Sequence, residues 1–414
     1  RYKMGIIHVD RLKENMVLSE DVRDLNTRLL LAKDLKIQPK HIRILKIWGI
    51  TEVNVLASAL DHEEAATKEI DPELLERIEE STKYLFHHVD LEHPAMQELF
   101  RLSVLSKSRH DIYKIDNKKM VDIAHDSKED SKEKFITDLR NNISYQGIKL
   151  PEIPSTVFEL NEVIVNPLAS ADDIARVVSK SPSLAAILLK IVNSPVYAFP
   201  AKIDTISRAV TLIGTQEISG LALGISAISI FKDIPEDMID MHLFLKHSLA
   251  CAIISRVLCA YKNITQTEQL FVSGLLHDIG RLVLYKYYPE QAKIILIRAE
   301  SSKELLHQEE KKGIGCTHTD IGRDLLKKWK IPFSIENNLF YHHNPSGANN
   351  QAHATIVHLA DIIAHSLEIG TSGERFVPNF DRRAFDSLGI SPSCFDSVIR
   401  LATHQFNAIE GFFK

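Results

Sequence analysis

The chain has 414 residues, 44% of them hydrophobic and 25% charged, with a formal net charge of -5. That composition suits a folded protein with room for two or three cores, and it excludes a chain disordered throughout. Mild acidity, and the lack of a Lys/Arg block interleaved with aromatics, argue against a nucleic-acid partner.

Residues 1 to 60 alternate short apolar runs with turn-formers, as in MVLSEDV, RLLLAKD and KHIRILKIWGITEVNVLA. The pattern predicts strands around a short helix, a small α+β N-terminal module. Residues 61 to 135 form a helical region and charged linker. DPELLERIEESTKYLF opens with Pro after a capping Asp, so long helices are expected from Asp71 to about Arg109. AHDSKEDSKEKF, Ala124 to Phe135, has no apolar face and marks the main domain boundary. His62, His93, His110 and the pair His87 and His88 lie among charged residues and are expected at the surface.

From 136 to 414 the chain reads as almost wholly helical. SADDIARVV carries a Ser-x-x-Asp start signal, SPSLAAILLKIV has Pro in a first turn, and DTISRAVTLIG starts at a capping Asp and stops at Gly214. Alternating strand patterns are absent there, so the expected fold class is mainly α. No internal repeat, GxGxxG fingerprint or GxxxxGK[ST] loop is present, which argues against a nucleotide held by a P-loop. The longest uncharged stretch, Ile218 to Phe231, is too short to cross a bilayer, and the first sixteen residues lack a signal-peptide apolar core. Cys251, Cys259, Cys316 and Cys394 form no CxxC pair, which points away from disulfides and from a thiolate zinc site. These features give the expectation of a cytoplasmic protein with no membrane partner.

Chemistry concentrates in five segments. In KHSLACAIISRVL, His247 shares a helical stripe with Cys251, Ile254 and Leu258, so it should point inward. In GLLHDIG, His277 and Asp278 sit side by side in an apolar run, where a carboxylate costs several kcal/mol unless a partner or metal compensates it. Arg281, three residues on, is the alternative partner. GCTHTDIGRDLL has Thr317 and Asp320 as a capping box that puts His318 in a first helical turn. YHHNPSG supplies His342 and His343 before a loop. IVHLADIIAH places Asp361 on an apolar helix face with His358 and His365 in register, either orienting it or simply filling space. Tyr341 and Trp329 read as core or lining residues. Imidazole with carboxylate suits iron or manganese first, with zinc or nickel also compatible.

LPEIPSTVFELNEVIVNP, SPSLAAILLKIVNSPVY, AVTLIGTQEI, GLLHDIGRLVL, THTDIGRDLLKKWKIP and the HH-x-P stretch occur in that order. Over about residues 145 to 368 they resemble the HDOD domain of the HD phosphohydrolase superfamily. The resemblance implies an all-helical bundle in bacterial signal transduction, often regulatory and stripped of metal ligands. This sequence instead retains an order of ligands similar to that of HD-GYP phosphodiesterases. By that likeness His247, His277, Asp278 and Asp361 hold one divalent ion, while His318, His342, His343 and a bridging Asp278 hold a second.

The loop after the histidine pair reads NPSGANN where those relatives carry Gly-Tyr-Pro, and Arg281 stands where they carry Lys. The position that would offer a further carboxylate is Leu243, which implies two ions and not three. The implied chemistry is hydrolysis of a phosphorylated small molecule or nucleotide, with Asp278 and Arg281 as catalytic residues and Arg281 contacting phosphate. The alternatives are a non-catalytic module that binds a signalling protein partner, its metal structural, and a redox sensor on a di-iron centre. VDRLKENMVLSEDV and ILKIWGITEVNV also resemble a small module found ahead of some HD-GYP domains.

Overall fold

The computed structural model describes residues 4–9, 12–23, 29–47, 50, 52–56, 72–111, 148–166, 168–231, 233–235 and 237–409. His62 and the charged stretch 124–135 lie outside the described residues, as does the side chain of His110.

In the N-terminal module β1 (Met4–His8) pairs antiparallel with β4 (Glu52–Leu56), His8 opposite Glu52 and Met4 opposite Leu56. A second ribbon joins β2 (Val22–Arg23) to β3 (Leu29–Leu31), and one helix, α1 (Pro39–Ile47), lies between β3 and β4. Val53 and Val55 are buried and the intervening Asn54 is not, the period-two pattern of a half-buried strand. With Leu18, Ile37 and Leu45 they form a small core of their own.

The rest of the described chain is helical. After α2 (Pro72–Leu85) and α3 (Pro94–Asp111) come α4 (Ser155–Val165), α5 (Ala171–Ser179), α6 (Pro182–Val192), α7 (Ile206–Ile213) and α8 (Thr215–Ser229). Then follow α9 (Met241–Tyr261), α10 (Thr267–Leu276), α11 (Ile279–Tyr287), α12 (Pro289–Ser302), α13 (Leu306–Ile314), α14 (His318–Lys328), α15 (Phe333–Phe340) and α16 (Gln351–Ser366). The short α17 (Arg382–Leu388) and α18 (Cys394–Ile409) close the chain. Local signals set many of these boundaries. Ser170 and Asp173 form the reciprocal capping box of α5, and Ser181 caps α6 with Pro182 in its first turn. Helix α7 ends at Gly214 as expected, but its cap is Thr205, whose hydroxyl accepts from Arg208 N. Asp204 lies one residue too early to cap it.

Helices α2 and α3 do not stand apart with the linker. Phe86, Met96 and Leu99 are buried in the same core as the bundle. Val377 N donates to Leu85 O at 3.0 Å, and Ser103 Oγ donates to Ser366 O at 2.6 Å. His93, expected at the surface, is buried against the rings of Phe380 and Phe385, with centroids 4.9 and 5.7 Å away. Its neighbours in sequence are charged, but its neighbours in space come from the far end of the chain. His87 is exposed, and His88 donates from Nε2 to the Lys303 carbonyl.

Helix α9 is long and apolar enough to cross a membrane, and 72% of its most apolar window is buried within the bundle. The glycines of GLLHDIG bring its neighbours close. A Cβ on Gly274 would come within 2.7 Å of the Cys251 carbonyl oxygen, so α10 crosses α9 backbone to backbone there. A Cβ on Gly280 would overlap the His318 carbonyl oxygen and come within 2.8 Å of Gly322 N, so α11 seats directly on α14. These two crossings carry His277 and Asp278 to His247 and His318. Gly280→Ala is expected to wedge α11 from α14 at a cost of about 1–3 kcal/mol, as for other overpacked contacts. Chemical denaturation checks this, and unchanged stability would mean the crossing can relax.

Candidate metal centre

His277 and Asp278 do not share one helix. His277 caps the C-terminus of α10 and Asp278 stands at the N-cap of α11, so the chain breaks at this dipeptide and turns both side chains inward. His247, His277, His318 and His342 have no exposed surface, and Asp278 and Asp361 are each 2% exposed. His343 is half-buried at the edge. All seven donors expected from the sequence therefore face one region of the bundle.

The imidazoles are oriented from outside. His277 Nδ1 donates to Gly274 O at 2.8 Å, His342 Nδ1 to Leu339 O at 2.7 Å, and His318 Nδ1 to Glu310 Oε2 at 2.7 Å. A carbonyl or carboxylate oxygen offers no proton, so Nδ1 carries a hydrogen in each ring and Nε2 is the atom turned inward, where a proton or a metal ion can sit. Those three Nε2 atoms, with His343 Nε2, Asp278 Oδ1 and Asp361 Oδ1, are buried and lack a hydrogen-bond partner. Groups of this kind are rarely left unsatisfied in an interior, and the shared outward hydrogen bond is the arrangement that orients a metal-binding histidine.

Among the described residues, three sets have donor atoms all within 4.8 Å of one another: His247, Cys251, His277 and Asp361; His318, His342 and His343; and His277, Asp278 and His342. His318 Nε2 is 3.0 Å from Asp278 Oδ1, and His247 Nε2 is 3.2 Å from Asp361 Oδ1. The buried His/Asp cluster suggests divalent metal binding.

Charge is unevenly shared. Burial opposes ionisation of Asp278, yet Arg281, His277 and His318 outweigh it and hold its carboxyl well below the usual range. Asp361 is held low against burial in the same way, chiefly by His365 and then by His247 and His277. Burial also disfavours a charged His277, but the Asp278 and Asp361 carboxylates raise its pKa to about 10. His247, pushed down to about 4 by burial and by His365, stays neutral. Burial first, and neighbouring imidazoles next, keep His342 and His343 neutral as well.

Arg281 departs from the expected phosphate contact. It is 1% exposed, and its guanidinium meets Asp278 Oδ2 at 3.0 Å, Glu310 Oε1 at 3.2 Å and Glu374 Oε2 at 3.9 Å, with Nη1 also donating to Ser372 Oγ. The pairing engages one oxygen of Asp278 and leaves Oδ1 facing His318. Sequence reading missed Glu310, Glu374 and His307, which sit in the polar runs LHQEEKK and TSGERF where no apolar pattern marks them. His307 stacks on His343 at 4.4 Å. His358 is a brace: Nδ1 donates to His342 O and Nε2 accepts from Asp381 N. His365 donates from Nδ1 to the Asp361 backbone carbonyl, and that nitrogen also lies 2.9 Å from Asp361 Oδ1. Trp329 is wholly buried, and Tyr341 is half-buried.

The family described as the HDOD domain matches residues 150–345. A crystal structure of an HDOD domain protein with unknown function from Geobacter sulfurreducens is 18% identical, with a TM-score of 0.54, covering 68% of this chain and 98% of that one. A "Putative phosphohydrolase" from Shewanella amazonensis SB2B is 21% identical with a TM-score of 0.51, covering 68% and 98%. A "Putative metal-dependent phosphohydrolase" from the same organism is 19% identical with a TM-score of 0.51, covering 69% and 100%. These likenesses show a common fold. A Treponema pallidum (strain Nichols) protein is 26% identical over 215 residues, half of this chain, and the match spans 40% of that protein's own length.

If Arg281 is the buried counter-charge of three carboxylates, Arg281→Ala should destabilise the metal-free protein by about 3–5 kcal/mol, the usual cost of stranding buried charge. Denaturation in the presence of chelator measures this. An unchanged midpoint would return Arg281 to a role facing substrate.

Proposed function

We propose, on the premise that residues 150–345 form an HDOD domain, that this chain is a metal-dependent phosphohydrolase acting on a phosphoester or nucleotide. The observation that carries the reading is the set of partnerless Nε2 atoms turned towards two buried carboxylates. His247, His277 and Asp361 would hold one divalent ion and His318, His342 and His343 another, with Asp278 between them. Asp361 comes from α16, beyond the stretch matched to the family. Iron or manganese suits this mixture of imidazole and carboxylate. A bound divalent ion supplies Lewis acidity at phosphoryl oxygens and brings the ionisation of water towards neutral pH.

The chain's own residues do the positioning. Arg281 fixes Asp278 through Oδ2, so Oδ1 stays aimed at His318. Glu310 accepts from both the backbone N and Nδ1 of His318, locking that ring. The segment after α16 is tied across three helices: Thr371 N donates to Leu243 O, Tyr285 OH donates to Ser372 O, and Glu374 accepts from Leu306 N. His343 and His307 are only half-buried, so their edge is the natural approach for an anionic substrate.

The enclosure of the other donors, with Arg281 turned inward, favours a second reading: a regulatory module whose metal orders the fold and whose output is a protein partner. A panel of phosphomonoesters and phosphodiesters, tested with metal-loaded protein, separates the two. The hydrolase reading expects turnover that falls at least about a hundredfold in Asp278→Asn, given that losing even an outer partner of a ligand costs 10–100-fold. No turnover from protein that carries stoichiometric metal would overturn it in favour of the module.

A further inference from the structure

Cys251 lies one turn beyond His247 on α9, and its thiol is wholly buried. Its sulfur is 3.6 Å from His247 Nε2 and 3.9 Å from the Ala360 carbonyl oxygen, the latter a long contact for a weak donor. His247 Nε2 is 3.2 Å from Asp361 Oδ1, and His277 Nε2 is 3.5 Å from the same oxygen. The sulfur and these three donors all lie within 4.8 Å of one another. Helical spacing puts Cys251 on the His247 face, and the tight crossing at Gly274 brings His277 up to the sulfur.

The separations carry information. With zinc-type bond lengths of about 2.0–2.1 Å to N or O and about 2.3 Å to S, tetrahedral angles set N and O about 3.4 Å apart and N and S about 3.5 Å apart. Octahedral angles would set both near ~3.0 Å with the same bond lengths. The observed 3.2, 3.5 and 3.6 Å lie nearer the tetrahedral values.

We propose that Cys251 is a metal ligand, completing with His247, His277 and Asp361 a four-coordinate site for a thiophilic divalent cation such as zinc or ferrous iron, with Asp278 then serving the His318 side alone. This rests on the metal reading of the three neighbouring residues and extends it. As the sulfur–metal bond forms, the thiol proton leaves to solvent. Four protein donors close such a site, which suits an ion that orders the bundle. Chemistry on a substrate then belongs to the His318, His342 and His343 side, at the half-buried edge.

The test reconstitutes the metal-free 414-residue chain with cobalt(II). Cobalt content is measured directly, and the near-ultraviolet spectrum is searched for a thiolate-to-cobalt charge-transfer band. The band is expected in the unaltered chain and in Cys394→Ser, and its loss is expected in Cys251→Ser and Cys251→Ala. Bound cobalt without the band in the unaltered chain overturns the role of Cys251 alone, as does a band that survives in Cys251→Ser. A chain that takes up no cobalt overturns the metal reading and this inference together.

Discussion

Buried negative charge is the constraint on which this structure depends. Asp278, Glu310 and Glu374 converge on Arg281; burial pushes Glu374 up, but the single guanidinium still cannot balance both Asp278 and Glu310, which are held low, and Asp361 stands nearby among imidazoles. Each such carboxylate costs several kcal/mol to remove from water unless it is compensated. What remains must be met by protons on His277, His318 and His365, whose pKa values are raised by the carboxylates against the opposing effect of burial, or by cations. The surrounding devices follow from that requirement. Two glycines permit the helix crossings that gather the charges, and carbonyl acceptors behind the imidazoles turn their Nε2 atoms towards them. The Thr371–Glu374 segment is tied to α9, α11 and α13 beside these charges.

The helical class was legible because capping chemistry is local. Ser170 with Asp173 and Thr317 with Asp320 form the capping boxes that their spacing announces. The inward turn of His247 was equally legible from its stripe with Cys251, Ile254 and Leu258, all of which are buried. Proximity of donors from separate helices is a property of the folded chain, and there the sequence supplied residue types without distances. His93 shows the limit most plainly, since charged neighbours in the chain hide a binding surface made of Phe380 and Phe385.

Arg281 shows a different limit. Its spacing from Asp278 allowed both a pair and a phosphate contact, and only the positions of Glu310, Ser372 and Glu374 show where its hydrogen bonds go. Cys251 is a third case. Cysteine counting looks for CxxC pairs, whereas here a lone thiol meets histidine and aspartate from other helices. An arginine locked into the interior and a thiol beside one cluster make the two sides of the centre chemically unlike: a closed side around Asp361 and a more open side around His343. That asymmetry is compatible with catalysis at the edge and with a metal that serves the fold.

The central claim is that the inward-facing donors exist to hold cations. Elemental analysis of protein purified without added metal or chelator tests it most directly. The account predicts a transition-metal ion in stoichiometric amount, removed only by prolonged chelation and absent after Asp361→Ala. Protein that is folded, stable and free of transition metal, with Asp278 satisfied by Arg281 alone, would contradict it.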